Sequence, residues 1–90
     1  MRQSVDTRYS FLCQLLIEAR KKSGLTQMQI AFKLKKPQSF ISKYEAAERR
    51  LDIIEFVEVC SALNCDAARL IEELGKYVRE ERINSEAMGN

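Results

Sequence analysis

The chain predicts an all-α fold, a compact bundle of five helices. Three observations carry that expectation. Apolar residues recur at helical spacing in five separate stretches. Capping-box residues open two of those stretches, Thr26 with Gln29 and Asp52 with Glu55. Only one Pro and three Gly interrupt the 90 residues. That length makes one domain, small but able to enclose a helical core.

Residues 1 to 6 read as a flexible polar tail with no packing pattern. Helix one is expected from about Thr7 to Lys22, with Phe11, Leu12, Leu15, Leu16 and Ala19 on one broad stripe. Lys21 and Lys22 suit the negative end of its dipole, and Gly24 suits a left-handed stop. Thr26 then caps helix two, and Leu25 with Ile30 forms a hydrophobic staple across that cap. Helix two should end near Lys35 or Lys36, because Pro37 pushes the residue before it out of the α region. Pro37 suits the opening turn of helix three, expected over about Gln38 to Ala46.

Ile41 and Tyr44 of helix three should face inward. Gln38, Ser39, Ser42 and Lys43 share its outward face. Two short helices joined by a tight turn make a helix-turn-helix unit. Its second helix has the shape that lies in a DNA major groove. Phe40 sits beside the outward face, where contact with a thymine methyl or sugar and packing against its own loop both fit.

The loop from Ala47 to Leu51 carries Arg49 and Arg50. Asp52 caps helix four, with Leu51 and Phe56 as its staple. Its buried face is expected to hold Ile53, Phe56, Val57, Cys60 and Leu63, and Asn64 should end it. Asp66 caps helix five, which carries Ala67, Leu70, Ile71 and Leu74. Gly75 either ends helix five or weakens it, and helix-forming residues continue from Lys76 to Ile83. The domain therefore spans 7 to 83, and residues 84 to 90 read as a second flexible tail.

The register of Arg20, Gly24-Leu25-Thr26-Gln27, Ile30-Ala31, Leu34, Gln38-Ser39, Ile41-Ser42, Glu45 and Arg49 resembles the Cro/C1-type (Xre-like) helix-turn-helix family. The likeness runs more weakly through Phe56, Ala62 and Leu63, and covers about residues 9 to 74. It implies a lambda-repressor-like DNA-binding domain. By that likeness Gln38, Ser39, Ser42 and Lys43 face base edges. It also puts Gln27 and Arg49 on phosphates and pairs Arg20 with Glu45 between helices one and three; Lys36 and Arg50, close by in the basic segment, are expected as further phosphate contacts. Three positions depart from the family pattern. Lys35 and Ala47 stand where Gly is usual, and Leu51 stands where Pro is common.

Charge agrees with a polyanion partner on one side only. Residues 20 to 50 hold nine basic groups against two acidic ones, a net of +7. Residues 51 to 90 hold four basic against nine acidic, a net of −5. A charge-asymmetric domain of this kind suits nucleic acid. Double-stranded DNA is therefore the expected partner, read by a homodimer that regulates transcription. Leu70, Ile71, Leu74, Tyr77 and Val78 exceed what a four-helix core needs, so a patch near helix five is the expected dimer surface; the other reading is that Leu70, Ile71 and Leu74 close the monomer's own core and leave Tyr77 and Val78 for a partner. The alternative is an antitoxin or protein-interaction module that masks a toxin or other protein with its acidic C-terminal segment.

Other classes find less support. The chain has no His, and its cysteines (Cys13, Cys60 and Cys65) form no CxxC pair, so no metal or cofactor is expected. Cys60 reads as a small buried hydrophobe, with a redox-sensing thiol as the lesser reading. Ser and Cys lack a base to activate them, which argues against an enzyme. No apolar run approaches a membrane span of ~18–20 residues, and no secretory signal opens the chain, so a cytoplasmic protein is expected.

Overall fold

The computed structural model describes residues 6–88. Five α-helices make up the described chain: α1 (Thr7–Lys22), α2 (Gln27–Leu34), α3 (Gln38–Glu45), α4 (Ile53–Leu63) and α5 (Ala67–Met88). The all-α expectation holds. α1 packs on α3, α4 and α5, while α2 packs on α3 and α4.

Local chemistry starts the helices where expected. Thr26 and Gln29 close a full capping box on α2, and Asp52 and Glu55 close one on α4. Pro37 sits at the N-cap of α3, with extended backbone, and the helix starts at Gln38. Asp6 is no part of a tail. Its carboxylate caps α1 by accepting from the backbone of Arg8 (3.1 Å) and Tyr9 (3.4 Å). The expected tail residues 1–5 and the last two residues, 89 and 90, lie outside the described part.

Four helix ends share one solution. In each, an N–H two or three residues past the end reaches back five residues to a carbonyl. These bonds are Leu25 to Arg20 (3.2 Å), Lys36 to Ala31 (3.0 Å), Glu48 to Lys43 (2.8 Å) and Cys65 to Cys60 (2.9 Å). The residue before each donor, namely Gly24, Lys35, Ala47 or Asn64, has left-handed backbone. This is the Schellman closure, which satisfies the last carbonyls of a helix. Only one of the four corners has the glycine that the conformation favours. Lys35 and Ala47 keep the left-handed geometry at φ 57° and 62°, so the strain is tolerated rather than avoided. Leu51 also has a reason to replace Pro. Its N–H donates to the Tyr9 hydroxyl at 3.0 Å, and that hydroxyl donates to the Arg49 carbonyl at 2.8 Å. A proline has no N–H to offer there.

The core draws on all five helices: Leu12 and Leu16, Ile30 and Ala31, Ile41 and Tyr44, five residues of α4, and Leu70. Each fully buried aliphatic side chain stabilises the fold by about 1.5–3 kcal/mol. On α4 the expected phase is partly wrong. Ile53 and Val57 are exposed, at 62% and 48%, and Val59 and Ala62 are buried instead. The buried stripe of α4 begins at Phe56 and continues through Val59, Cys60, Ala62 and Leu63, with Val57 to its side.

α5 runs through Gly75 and past Ile83, where fraying was expected from Asn84. An interior Gly costs a helix about 1 kcal/mol relative to Ala. Packing on α1 offsets it, with the Tyr77 and Phe11 rings stacked at 4.4 Å and the Thr7 hydroxyl donating to Glu81 at 3.0 Å. Past residue 83 the helix has an Arg82–Glu86 pair one turn apart, at 3.3 Å.

Left-handed backbone costs a residue with a Cβ roughly 1–2 kcal/mol, and Gly returns about 0.4–1 of that to the unfolded chain. Ala47→Gly should therefore stabilise the protein by about 0.5–1 kcal/mol. Gly24→Ala should destabilise it by about as much, although nothing lies within 4 Å of the added Cβ. Urea titrations of both variants check the pair. Equal stabilities for parent and Ala47→Gly would show that the corner is unstrained.

Candidate nucleic-acid interface

α3 is eight residues long and two-faced. Ile41 and Tyr44 are fully buried and anchor it to the core. Gln38, Ser39 and Lys43 are exposed and Ser42 is half-buried, so the four expected base-reading residues share the open side. Gln38, Ser39 and Lys43 carry unburied donors or acceptors, and the Ser42 hydroxyl donates to the Ser39 carbonyl at 3.3 Å.

One carboxylate fixes where α3 sits. Glu45, in its last turn, accepts from Arg20 of α1 through Nε (2.7 Å) and Nη2 (3.1 Å). It also accepts from the Gln27 amide at the start of α2, at 2.8 Å. The Arg20 and Glu45 side chains are 14% and 7% exposed, so this is a largely buried, bidentate pair. Arg20 spends its third donor on the Leu25 carbonyl at 3.0 Å, and Glu45 raises its pKa further. The Arg20–Glu45 expectation is met. Gln27 is more than a surface amide: its carbonyl oxygen accepts from Gln38 at 3.4 Å. A chain of contacts thus runs from α1 through Glu45 and Gln27 to the first residue of the open face.

The two loop arginines are also engaged. Arg49 makes a bidentate pair with Glu55 at 3.1 and 2.9 Å and lies over the Phe40 ring at 4.7 Å. Arg49, with the Asp52 N–H, holds the Glu55 carboxyl at about 2, well below its ordinary range. Arg50 pairs with Asp6 at 2.6 Å and lies over the Tyr9 ring at 4.9 Å. Arg50 is likewise the main cause of the Asp6 carboxyl falling to about 2. Burial dominates at Tyr9 and pushes its hydroxyl up to about 12. Lys36 is exposed, with its ammonium 5.2 Å from the Phe40 ring. Phe40 packs edge-on against Tyr44 of its own helix at 5.7 Å and lies under the Arg49 guanidinium of the following loop. Sequence reasoning missed these acidic partners, because Glu55 reads as a cap residue and Asp6 as tail.

The expected dimer surface on α5 needs correction. Leu70 is buried, Leu74 packs against the core, and Tyr77 is stacked on Phe11. Only Val78 stays outside these contacts, and it is half-buried. Those side chains close the monomer. Apolar surface stays exposed on α5 at Ile71 and Ile83, and elsewhere at Ile53, Ile54 and Val57 of α4 and at Met28 and Phe32 of α2.

A family model described as helix-turn-helix matches residues 16–70. The chain belongs to the Cro/C1-type (Xre-like) helix-turn-helix family. It is a DNA-binding regulator of transcription by that membership. Among solved structures it is similar to an XRE-family like protein from Pseudomonas syringae pv. tomato str. DC3000. That similarity has 46% identity, a TM-score of 0.76, and covers 79% of this chain and 87% of that one. It also shares its fold with the restriction-modification controller protein C.Esp1396I, at 23% identity and a TM-score of 0.73, over 82% of this chain and 97% of that one. The same controller protein has been solved as a tetramer with its natural 35 base-pair operator, and there the TM-score is 0.71 at 24% identity. A comparison with curated proteins gives no match. None of the described helices is long and apolar enough to cross a membrane.

Removing one partner of a buried ion pair leaves the other charge stranded, at a cost of about 3–5 kcal/mol. Glu45→Gln keeps an acceptor for Gln27 but strands Arg20, so its expected cost is about 3 kcal/mol. Thermal or urea melts measure it against Glu86→Gln, whose residue is exposed. Equal costs for the two variants would show that Glu45 does not organise the motif.

Proposed function

We propose that the protein is a sequence-specific reader of double-stranded DNA that binds an operator as a homodimer, with α3 in the major groove. The observation that carries this reading is α3 itself. Its apolar side is fully buried and its polar side is open, on a helix braced at both ends. Gln38 has the amide geometry for a bidentate pair with adenine, and Lys43 can donate to guanine O6 and N7. Ser39 and Ser42 can bond several bases. Gln27, Lys36, Arg49 and Arg50 flank that face and are the candidate phosphate contacts, which position the helix and make affinity depend on salt. Arg49 would reach phosphate from its place on Phe40, in competition with Glu55.

One such domain reads only a few base pairs, which favours two copies on half-sites about one helical turn apart, ~10 bp centre to centre. The surface offered for that pairing is the start of α4. Ile53, Ile54 and Val57 lie there, 62%, 64% and 48% exposed, just past the Arg49–Arg50 loop. The solved operator complex of the controller protein supports a multi-copy reading, since that protein is a tetramer on its DNA. The acidic segment after Gly75 is helical and packs on α1, which favours the regulator over a toxin-masking module.

Selection of bound duplexes from a random pool should return a short two-fold-symmetric sequence. Against that sequence, Gln38→Ala and Lys43→Ala should relax preference at particular positions by roughly 1–3 kcal/mol each. Lys36→Ala and Arg49→Ala should weaken binding to all sequences alike and lower the salt slope by about one. Uniform loss for Gln38→Ala would remove it from base reading.

Sedimentation tests the pairing surface. Ile54→Glu and Val57→Glu change side chains that are already exposed, so the fold should survive. Each should raise the dimer dissociation constant by about tenfold or more, equivalent to at least ~1.4 kcal/mol. Parent-like dimers in both variants would move the surface elsewhere. A protein monomeric at every concentration, bound one-to-one to DNA, would remove the dimer.

A further inference from the structure

The three thiols are not equivalent. Cys13 is buried in α1, and its thiol donates to the Tyr44 carbonyl at 3.0 Å. Cys60 and Cys65 meet at the end of α4. They occupy the two ends of its Schellman closure, with the Cys65 N–H donating to the Cys60 carbonyl at 2.9 Å. The side chains at those two positions of the motif face each other. Here the two thiols are near enough for Cys65 to help push the Cys60 thiol up. Bond lengths chained through the backbone hydrogen bond keep the two Cα atoms under about 7 Å apart, inside the span that a disulfide bridges.

We propose that Cys60 and Cys65 form an oxidisable dithiol that a hydroperoxide converts into an intramolecular disulfide across the α4–α5 corner. Exposure assigns the two roles. Cys60 is 1% exposed, and Cys65 is half-buried, the more open residue of the two. Burial, and after it the neighbouring Cys65 thiol, pushes the Cys60 thiol above the usual range, which fits a resolving rather than an attacking group. The Cys65 thiolate attacks the outer oxygen of the hydroperoxide. The O–O bond breaks, Cys65 becomes a sulfenic acid, and hydroxide or alkoxide leaves. The Cys60 sulfur then displaces the sulfenic oxygen, which departs as water with the Cys60 proton, and the S–S bond forms. Two thiols are oxidised and one hydroperoxide is reduced. The bridge closes over Asn64, already left-handed at φ 60°, so the corner needs no new backbone conformation.

The test uses the whole reduced protein and a few equivalents of hydrogen peroxide, followed by alkylation in denaturant and tryptic mass mapping. Cleavage leaves Cys60 and Cys65 on one peptide, 51–69, and Cys13 on another, 9–20. The expected result is a fall from three free thiols to one. Peptide 51–69 should then be unalkylated and lighter than its dithiol form by about 2 Da, with Cys13 still alkylated. In Cys65→Ser, whose replaced side chain is not in the deep core, Cys60 should remain alkylatable at the same dose. Three persisting thiols, sulfinic acid at Cys65 beside a free Cys60, or disulfide-linked chain pairs would each overturn the proposal. So would loss of the Cys60 thiol in Cys65→Ser at the parent rate.

Discussion

The Glu45 carboxylate is the point on which the placement of the reading helix depends. α3 is only eight residues long, too short to be stable alone. Its apolar side sinks Ile41 and Tyr44 into the core, which fixes its depth and rotation. Burial is non-directional, however, and does not fix an end. The bidentate Arg20–Glu45 pair and the Gln27 bond to the same carboxylate supply that direction. They tie the end of α3 to α1 and to the first turn of α2. Gln27 then passes the constraint on to Gln38, so both ends of α3 are referenced to one anion.

Turn geometry supplies the second constraint. Four closures of the same kind set the angles at which consecutive helices leave one another. The first of these was legible, because Gly24 announces a left-handed corner. At Lys35 and Ala47 nothing in the local residues does so, and only the likeness to a known family marks those positions as departures. Their backbone is left-handed all the same, since the packing of α2 on α3 and of α3 on the core leaves no other path. Asn64 was legible as a helix end, and Asn is the side chain that tolerates this conformation best after Gly.

Helix existence and type could be read because caps and period speak from adjacent residues. What could not be read depends on partners distant in the chain. The exposure of Ile53 and Val57 is one case: the period shows an apolar stripe on α4 but not where the neighbouring helices stop covering it. The placing of spare apolar residues on α5 went astray for the same reason. Tyr77 looked superfluous on α5 alone and is consumed by Phe11, 66 positions earlier. The open face of α3 was legible because two buried and four polar positions alternate within one short helix. The acids that engage Arg49 and Arg50 were not, because Asp6 and Glu55 each carry a local role that hides the second one.

Those pairings divide the basic segment by residue type. Its three arginines are each held by a carboxylate: Arg20 by Glu45, Arg49 by Glu55 and Arg50 by Asp6. Its six lysines (Lys21, Lys22, Lys33, Lys35, Lys36 and Lys43) are all exposed, and none is in an ion pair among the described residues. The division follows from the two side chains. A guanidinium is planar and offers forked donors, so it suits a fixed, partly desolvated partner. An ammonium is a strongly hydrated point charge on a flexible stem, better left in water. Arginine therefore braces the motif here, and lysine supplies the positive field around it. A field of hydrated charges acts over about a Debye length of ~8–10 Å and is screened by salt. It can gather a polyanion without choosing a sequence, which leaves the choice of sequence to the four polar residues of α3.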